Sequence, residues 1–157
     1  MGGVGDVLCQ HRPLHSNHHI RAERRIARET ISLESPVERA LLIGAPRKST
    51  NARHLMDEHL AELERLADTA GAKVIGSLTQ QLDRPNPATY LGKGKIEELR
   101  ERIVRDDITL VIFDDELTPS QGKNIEDAIG QRVVDRAELI LDIFATRAKS
   151  SEARMQV

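Results

Sequence analysis

The chain has 157 residues, with 23 lysines and arginines against 25 aspartates and glutamates and a formal net charge of -2. This size predicts one ordinary domain plus tails, and the balanced charge excludes a chain that is basic throughout, so any nucleic-acid contact must be a local patch. The single cysteine, Cys9, excludes an internal disulfide, and no apolar run approaches the roughly 18 residues that a membrane span needs, so a cytoplasmic protein is expected.

Residues 1–37 are predicted to form a flexible N-terminal arm, because they combine glycines, histidines and mixed charges with little apolar periodicity. An alternative is a site for a soft divalent metal. Its candidate ligands are Cys9, His11, His15, His18 and His19. Structural zinc sites usually hold their ligand pairs on a turn within a folded module, which favours the flexible polar arm.

Residues 38–134 alternate short apolar runs with helical periodicity, which predicts an α/β domain. The first run, 39–44, is closed by Gly-Ala-Pro and predicts a buried strand. From Thr50 the period becomes helical, and Gly71 is expected to stop this first helix. The residues expected on its apolar face are Leu55, Met56, Leu60, Leu63, Leu66, Ala67 and Ala70.

A second strand is predicted over 73–79, followed by a loop in which Pro85 and Pro87 forbid regular pairing. A second helix then starts within the run 92–95, and a third strand is predicted over 109–113. The residues expected on the inward face of this second helix are Ile96, Leu99, Ile103 and Val104.

Two capping boxes mark the last helix starts. The first is Thr118–Gln121, with proline at the first helical position, and its helix is expected to end at Gly130. A short strand over 132–134 precedes the second box, Asp135–Glu138. The helix over 135–157 has no stop signal before the chain ends, which suggests a truncated chain or a module boundary. The residues expected on its exposed apolar face are Leu139, Ile143 and Phe144.

This alternation predicts right-handed crossovers in a small parallel sheet of about four strands, with three crossover helices and a fourth helix that leaves the sheet. Ligands of open parallel sheets bind at the carboxyl ends of the strands. Three segments are expected at that edge: 44–50, 85–95 and 114–116.

The run 92–95 alternates two glycines with two lysines, and we call it the Gly-Lys turn. Such a turn can direct backbone N–H groups, a helix N-terminus and two ammonium groups at one anion. It is not a P-loop, which needs Gly, four residues, then Gly-Lys-[Ser/Thr], because Thr89 and Ile96 stand at the first and last of those positions. Glu97 likewise replaces the third glycine of the dinucleotide motif.

The phosphate- or RNA-binding candidates are Arg47, Lys48, Gly92, Lys93, Gly94 and Lys95. Asp114 and Asp115 are weak candidates for Mg²⁺, and no metal site is otherwise assigned. No catalytic residue is assigned, because no arrangement for nucleophilic catalysis is present. Solvated loop charges, a tight turn and helix caps remain the structural alternatives for these residues.

Three segments together resemble the HflX family of ribosome-associated GTPases. They are Tyr90–Leu99, Asp115–Gln121 with Asn124–Glu126, and Asp135–Ala145 with Gln156–Val157. The resemblance covers about residues 38–157. It departs from the family pattern at Lys123, Ala137 and Ala153, where arginine, threonine and glycine are expected.

The resemblance implies an N-terminal α/β domain, then a long two-helix hairpin and a GTPase domain. By this resemblance, 38–134 is the α/β domain, 135–157 is the start of the first hairpin helix, and the GTP-binding motifs lie beyond Val157. It implies GTP and Mg²⁺ as cofactors of the full-length protein, and it allows ATP at this domain. The implied partners are the large ribosomal subunit with its rRNA and the C-terminal GTPase domain.

Family members rescue or split stalled ribosomes and act on RNA structure, so the leading hypothesis is a non-catalytic domain for ribosome binding and regulation. This chain is expected to be inactive alone because it lacks the GTPase motifs. The first alternative is an autonomous ATP-binding module with weak or no hydrolysis, based on the Gly-Lys turn with Asp114 and Asp115. The second is a scaffold whose last helix holds a partner helix.

Overall fold

The computed structural model describes residues 36–46 and 52–155. Most of the predicted arm, 1–35, lies outside the described residues, and so do Arg47 and Lys48. The strands are β1 (Arg39–Gly44), β2 (Lys73–Thr79), β3 (Leu110–Phe113) and β4 (Arg132–Asp135). The helices are α1 (Ala52–Thr69), α2 (Lys93–Asp106), α3 (Pro119–Ile129) and α4 (Arg136–Met155).

The four strands form one parallel sheet in the order β2-β1-β3-β4. The predicted α/β fold, with a four-stranded parallel sheet, crossover helices and a fourth helix, is confirmed. None of the helices in the described ranges is long and apolar enough to cross a membrane.

Helices cover both faces of the sheet. Side chains alternate along β1, so Ala40 and Leu42 pack with α1 and the start of α4, whereas Leu41 and Ile43 pack with α2 and α3. Both inner strands are therefore buried on two sides, which explains their continuous apolar sequences.

Local signals set the helix ends. The Thr118 hydroxyl accepts from the backbone N–H of Gln121 at 3.2 Å, and the Gln121 side chain accepts from the Thr118 N–H at 3.0 Å. Gly130 ends α3 with a φ of 72°. The Asp135 side chain accepts from the N–H of Glu138 at 2.9 Å, so Asp135 caps the helix and α4 begins at the next residue, Arg136.

Three apolar residues predicted to face the core are exposed. Leu55 is 49% exposed and Val104 is 84% exposed, and Ala70 is exposed as well. Leu55 is one residue before the buried Met56 of α1, and Val104 is one residue after the buried Ile103 of α2. Because one residue corresponds to about 100° of rotation, Leu55 and Val104 each lie beside the buried face of their helix.

The predicted exposed face of α4 is wrong for two of its three residues. Leu139 and Ile143 are only 3% and 7% exposed, and Leu139 packs against Leu110, Ile112 and α1. Phe144 is 62% exposed, as predicted. The first turns of α4 therefore belong to the core, because the sheet and α1 provide an apolar surface for them.

The outer strand β2 pairs only with β1 among the described strands. The N–H of Gln80 donates to the Gly44 carbonyl of β1. Because the backbone polar groups of successive residues point to alternate sides of a strand, the Ser77 carbonyl points away from β1. Arg102 of α2 donates to that carbonyl at 3.3 Å and pairs with Asp106 at 3.0 Å. A Cβ on Gly76 would lie 2.6 Å from the Arg102 guanidinium, so glycine leaves room for it.

Candidate anion-binding site at the carboxyl edge of the sheet

The loops that follow the parallel strands meet at one edge of the sheet. The backbone N–H of Asp114, after β3, donates to Ile43 of β1 at 2.9 Å, and the N–H of Leu82, after β2, donates to Pro46 at 3.0 Å. The strand order reverses between β1 and β3, where open α/β sheets bind ligands. The Gly-Lys turn and the two aspartates thus share this edge.

The loop that precedes the Gly-Lys turn is closed on itself. Asn86 and Tyr90 exchange two backbone hydrogen bonds of 2.9 Å, and the Asn86 side chain accepts from the N–H groups of Ala88 and Thr89 at 2.8 and 3.2 Å. These four bonds fix the loop despite its two prolines.

Two side chains of helix α3 donate hydrogen bonds to backbone carbonyls of this loop. The Gln121 amide donates to the Asn86 carbonyl at 3.1 Å, and the Asn124 amide donates to the Ala88 carbonyl at 2.9 Å. Gln121 is 8% exposed and also completes the capping box of its own helix. One side chain therefore ties a helix start to the loop of the candidate site.

The Gly-Lys turn starts α2 without a side-chain cap. Gly92 is the N-cap residue, and its N–H donates to the Gln80 side chain at 3.1 Å. Lys93 is the first helical residue and is exposed. A Cβ on Gly94 would have no neighbouring atom within 4 Å, so a ligand can approach the backbone here.

The two lysines of the turn differ in their surroundings. The Lys95 ammonium lies 2.7 Å from the Glu98 carboxylate, and its side chain is 18% exposed. Glu98 therefore partly neutralises this charge. Lys93 is the better placed of the two to contact a phosphate in solution.

Asp114 is part of an ion-pair network that joins three elements. Its side chain is 6% exposed and lies 3.2 Å from His59 of α1 and 3.5 Å from Arg136 of α4. Arg136 also pairs with Glu62 at 2.7 Å. A Mg²⁺ ion at Asp114 would have to compete with Arg136.

Asp115 lies beside the loop and has a different environment. Its Oδ2 atom is buried and has no hydrogen-bond partner among the residues that the structure describes. Burial raises the pKa of Asp115 above the ordinary 3.8, although interactions with Tyr90 and Ala45 oppose the shift. In the described part of the chain, no group of three or more His, Cys, Asp or Glu side chains is arranged to hold a metal ion.

Asp115→Asn is expected to stabilise the chain at neutral pH but not in acid. Because the folded state binds this proton more tightly, wild-type stability decreases as pH rises from the ordinary carboxyl pKa through the raised value, whereas asparagine stays neutral. Urea unfolding of both proteins between pH 3.5 and 7.5 measures the difference. A stability difference that is the same at every pH would contradict this explanation.

Sequence reasoning missed three contributors to this edge: Gln80, the Tyr90 ring that packs on Phe113, and the amide of Gln121 that contacts the loop. The capping box revealed only the local function of Gln121. The other contacts join separate segments and leave no short-range pattern in the sequence.

Residues 57–145 match the family model described as "GTP-binding GTPase N-terminal". The chain is 45% identical over 132 residues to GTPase HflX of Flavobacterium psychrophilum, covering 84% of this chain and 31% of the relative. It is 55% identical over 101 residues to GTPase HflX of Caldanaerobacter subterraneus, covering 64% and 24%. The crystal structure of SsGBP in complex with GDP aligns with a TM-score of 0.56 and 26% identity, covering 76% and 32%. The matched region thus spans less than a third of each relative.

Proposed function

Because the chain belongs to the HflX family of GTPases, we propose that it acts as the N-terminal domain of such a protein. In this proposal the domain binds the large ribosomal subunit through rRNA phosphates and regulates a GTPase domain. Ribosome rescue would be the activity of the full-length protein, to which this domain contributes binding.

The Gly-Lys turn is the observation that best supports phosphate binding. An exposed lysine, Lys93, stands at an uncapped helix start, where the helix dipole favours an anion. The bonds from Gln80, Gln121 and Asn124 hold this part of the edge in place. A preformed cationic turn of this kind suits the backbone of a structured RNA.

We assign no nucleotide hydrolysis to the residues of this chain. The sequence has no Gly-x-x-x-x-Gly-Lys-[Ser/Thr] motif, so GTP and Mg²⁺ are proposed as ligands of the GTPase domain of full-length relatives. The purified chain is accordingly proposed to be inactive in a GTPase assay.

Lys93→Ala is expected to weaken binding to purified large ribosomal subunits and to reduce the salt dependence of that binding. Losing one phosphate contact should lower the slope of log K against log salt by about one. The matched control is Lys95→Ala, which removes a lysine already paired with Glu98 and should change the slope much less. Sedimentation binding assays at several salt concentrations measure both.

An unchanged affinity and slope for Lys93→Ala would refute this role. Calorimetric titration of the chain with ATP and GTP, with and without Mg²⁺, tests whether the turn binds a nucleotide. Nucleotide binding that Lys93→Ala abolishes would make nucleotide rather than rRNA the ligand of the turn.

A further inference from the structure

We propose that the side-chain amide of Gln80 is a ligand contact of the Gly-Lys turn, and that its Nε2 atom donates a hydrogen bond to the anion bound there. This inference rests on the proposed function and deepens it, because it concerns the same turn. It adds to the lysines a neutral donor from another segment of the chain, the loop that follows β2.

The first turn of α2 has backbone donors without acceptors. Gly92 is the N-cap residue, and the first bonds of the helix run from the N–H groups of Lys95 and Ile96 to its carbonyl, at 3.0 and 3.1 Å. The N–H groups of Lys93 and Gly94 have no acceptor among the residues that the structure describes. An anion at this helix start would therefore satisfy both donors.

A backbone hydrogen bond fixes which way the Gln80 amide points. The Gly92 N–H donates to Oε1 of Gln80 at 3.1 Å, which assigns the oxygen and the nitrogen of the amide to their positions. Nε2 carries two N–H groups, and neither has an acceptor within the described part of the chain. Gln80 is also partly buried. The helix start thus has beside it a side-chain donor that is oriented but unused.

The missing side chain of Gly92 shows where this donor lies. The side chain of an N-cap residue normally places an oxygen over the free N–H groups of the first turn. A Cβ on Gly92 would lie 3.3 Å from Nε2 of Gln80, so Nε2 stands next to the place that such a capping oxygen would take. Glycine leaves this place open. An anion that occupies it meets the Gln80 amide together with the backbone N–H groups.

This set of donors suits the oxygens of a phosphate group. Phosphate oxygens are charged and accept several hydrogen bonds each, and backbone N–H groups, amides and lysines are their usual partners. The exposed Lys93 supplies the charge at this helix start. The amide of Gln80 is neutral, so its contact releases no counterion from the ligand and should not depend on salt, unlike the contact of Lys93.

Gln80→Met tests the inference, because methionine has a similar length but no N–H donor. Affinity of the chain for inorganic pyrophosphate, followed by NMR at the amides of 92–95, is expected to fall about three- to tenfold. Affinity for purified large subunits should fall by a similar factor with an unchanged salt slope, whereas Lys93→Ala lowers that slope. Equal affinity of Gln80→Met and wild type for pyrophosphate would overturn the inference.

Gln80→Glu separates the donor from the acceptor. Glutamate still accepts from the Gly92 N–H but presents a charged oxygen in place of Nε2. Pyrophosphate affinity is therefore expected to fall more than about tenfold, while amide hydrogen exchange of Gly92 in the unbound chain stays at the wild-type rate. The matched control is Gln81→Glu, which adds the same charge on a side chain that lines a separate cavity with Pro46 and Met56. Its affinity should change less than about threefold.

Two results with these variants would contradict the contact. Faster exchange at Gly92 in Gln80→Glu would assign the lost affinity to a displaced turn, and an equal loss in Gln81→Glu would assign it to charge alone. Absence of pyrophosphate binding at 92–95 in wild type also refutes the contact, even if large subunits bind. If wild type binds pyrophosphate, with the expected losses in both Gln80 variants, but does not bind large subunits, the proposed function fails and the contact stands.

Discussion

Replacing Phe113 with alanine is expected to lower the free energy of unfolding by about 3–5 kcal/mol, the usual range for truncating a buried aromatic side chain. Phe113 is 1% exposed at the end of β3. Its ring lies in the core between the sheet and α2 and α3, and it also supports Tyr90. The substitution therefore leaves a cavity and removes an aromatic pair. Urea unfolding monitored by circular dichroism measures the loss.

Val104→Ala is the matched control for this prediction. Val104 is also apolar but is 84% exposed, so its truncation should change stability by no more than about 0.5 kcal/mol. A loss below about 1 kcal/mol for Phe113→Ala would mean that this core collapses around the cavity. The Phe113→Ala variant should also bind large subunits more weakly than wild type at temperatures where it is folded, because Tyr90 loses its ring contact.

Gln121→Ala is expected to destabilise the chain by about 2–3 kcal/mol, because it removes two bonds from a nearly buried side chain. The Thr118 N–H loses its acceptor at the start of α3, and the Asn86 carbonyl loses its donor in the loop. Thermal and urea unfolding measure the total, and amide exchange at 86–90 measures the effect on the loop.

Gln121→Glu separates the two contributions. Glutamate still accepts from Thr118, and its charge suits a helix N-terminus, but it has no donor for the Asn86 carbonyl. The variant should keep α3 protected while exchange in the loop becomes faster. Loop exchange equal to that of wild type would show that the contact with Asn86 does not restrain this segment.

The elements were predictable because their signals are local. Apolar runs marked the strands, and Thr118 with Gln121 marked the start of α3 within four adjacent residues. The direction in which each apolar side chain points was less predictable. Leu55 and Val104 continue the helical pattern but lie beside the buried stripe, and Leu139 is buried because α1 and the sheet converge on it.

The contacts of the candidate site were likewise predictable only where the two residues are close in sequence. The pairing of Lys95 with Glu98 is an i,i+3 contact that the sequence contains. The contact of Tyr90 with Phe113, by contrast, joins the loop after β2 to the end of β3, and it forms only when the sheet forms. Their meeting depends on the strand order, which no short motif encodes.

The guanidinium of Arg102 affects whether copies of this chain can pair through the outer strand β2 at high concentration. An outer strand with open carbonyls is a template on which a second molecule can extend the sheet, and repeated extension produces fibrils. Here the Ser77 carbonyl is already bonded, and the guanidinium that bonds it is itself paired with Asp106. A second molecule would have to displace this guanidinium before its strand could bond to the Ser77 carbonyl, so extension of the sheet is hindered at that position of β2.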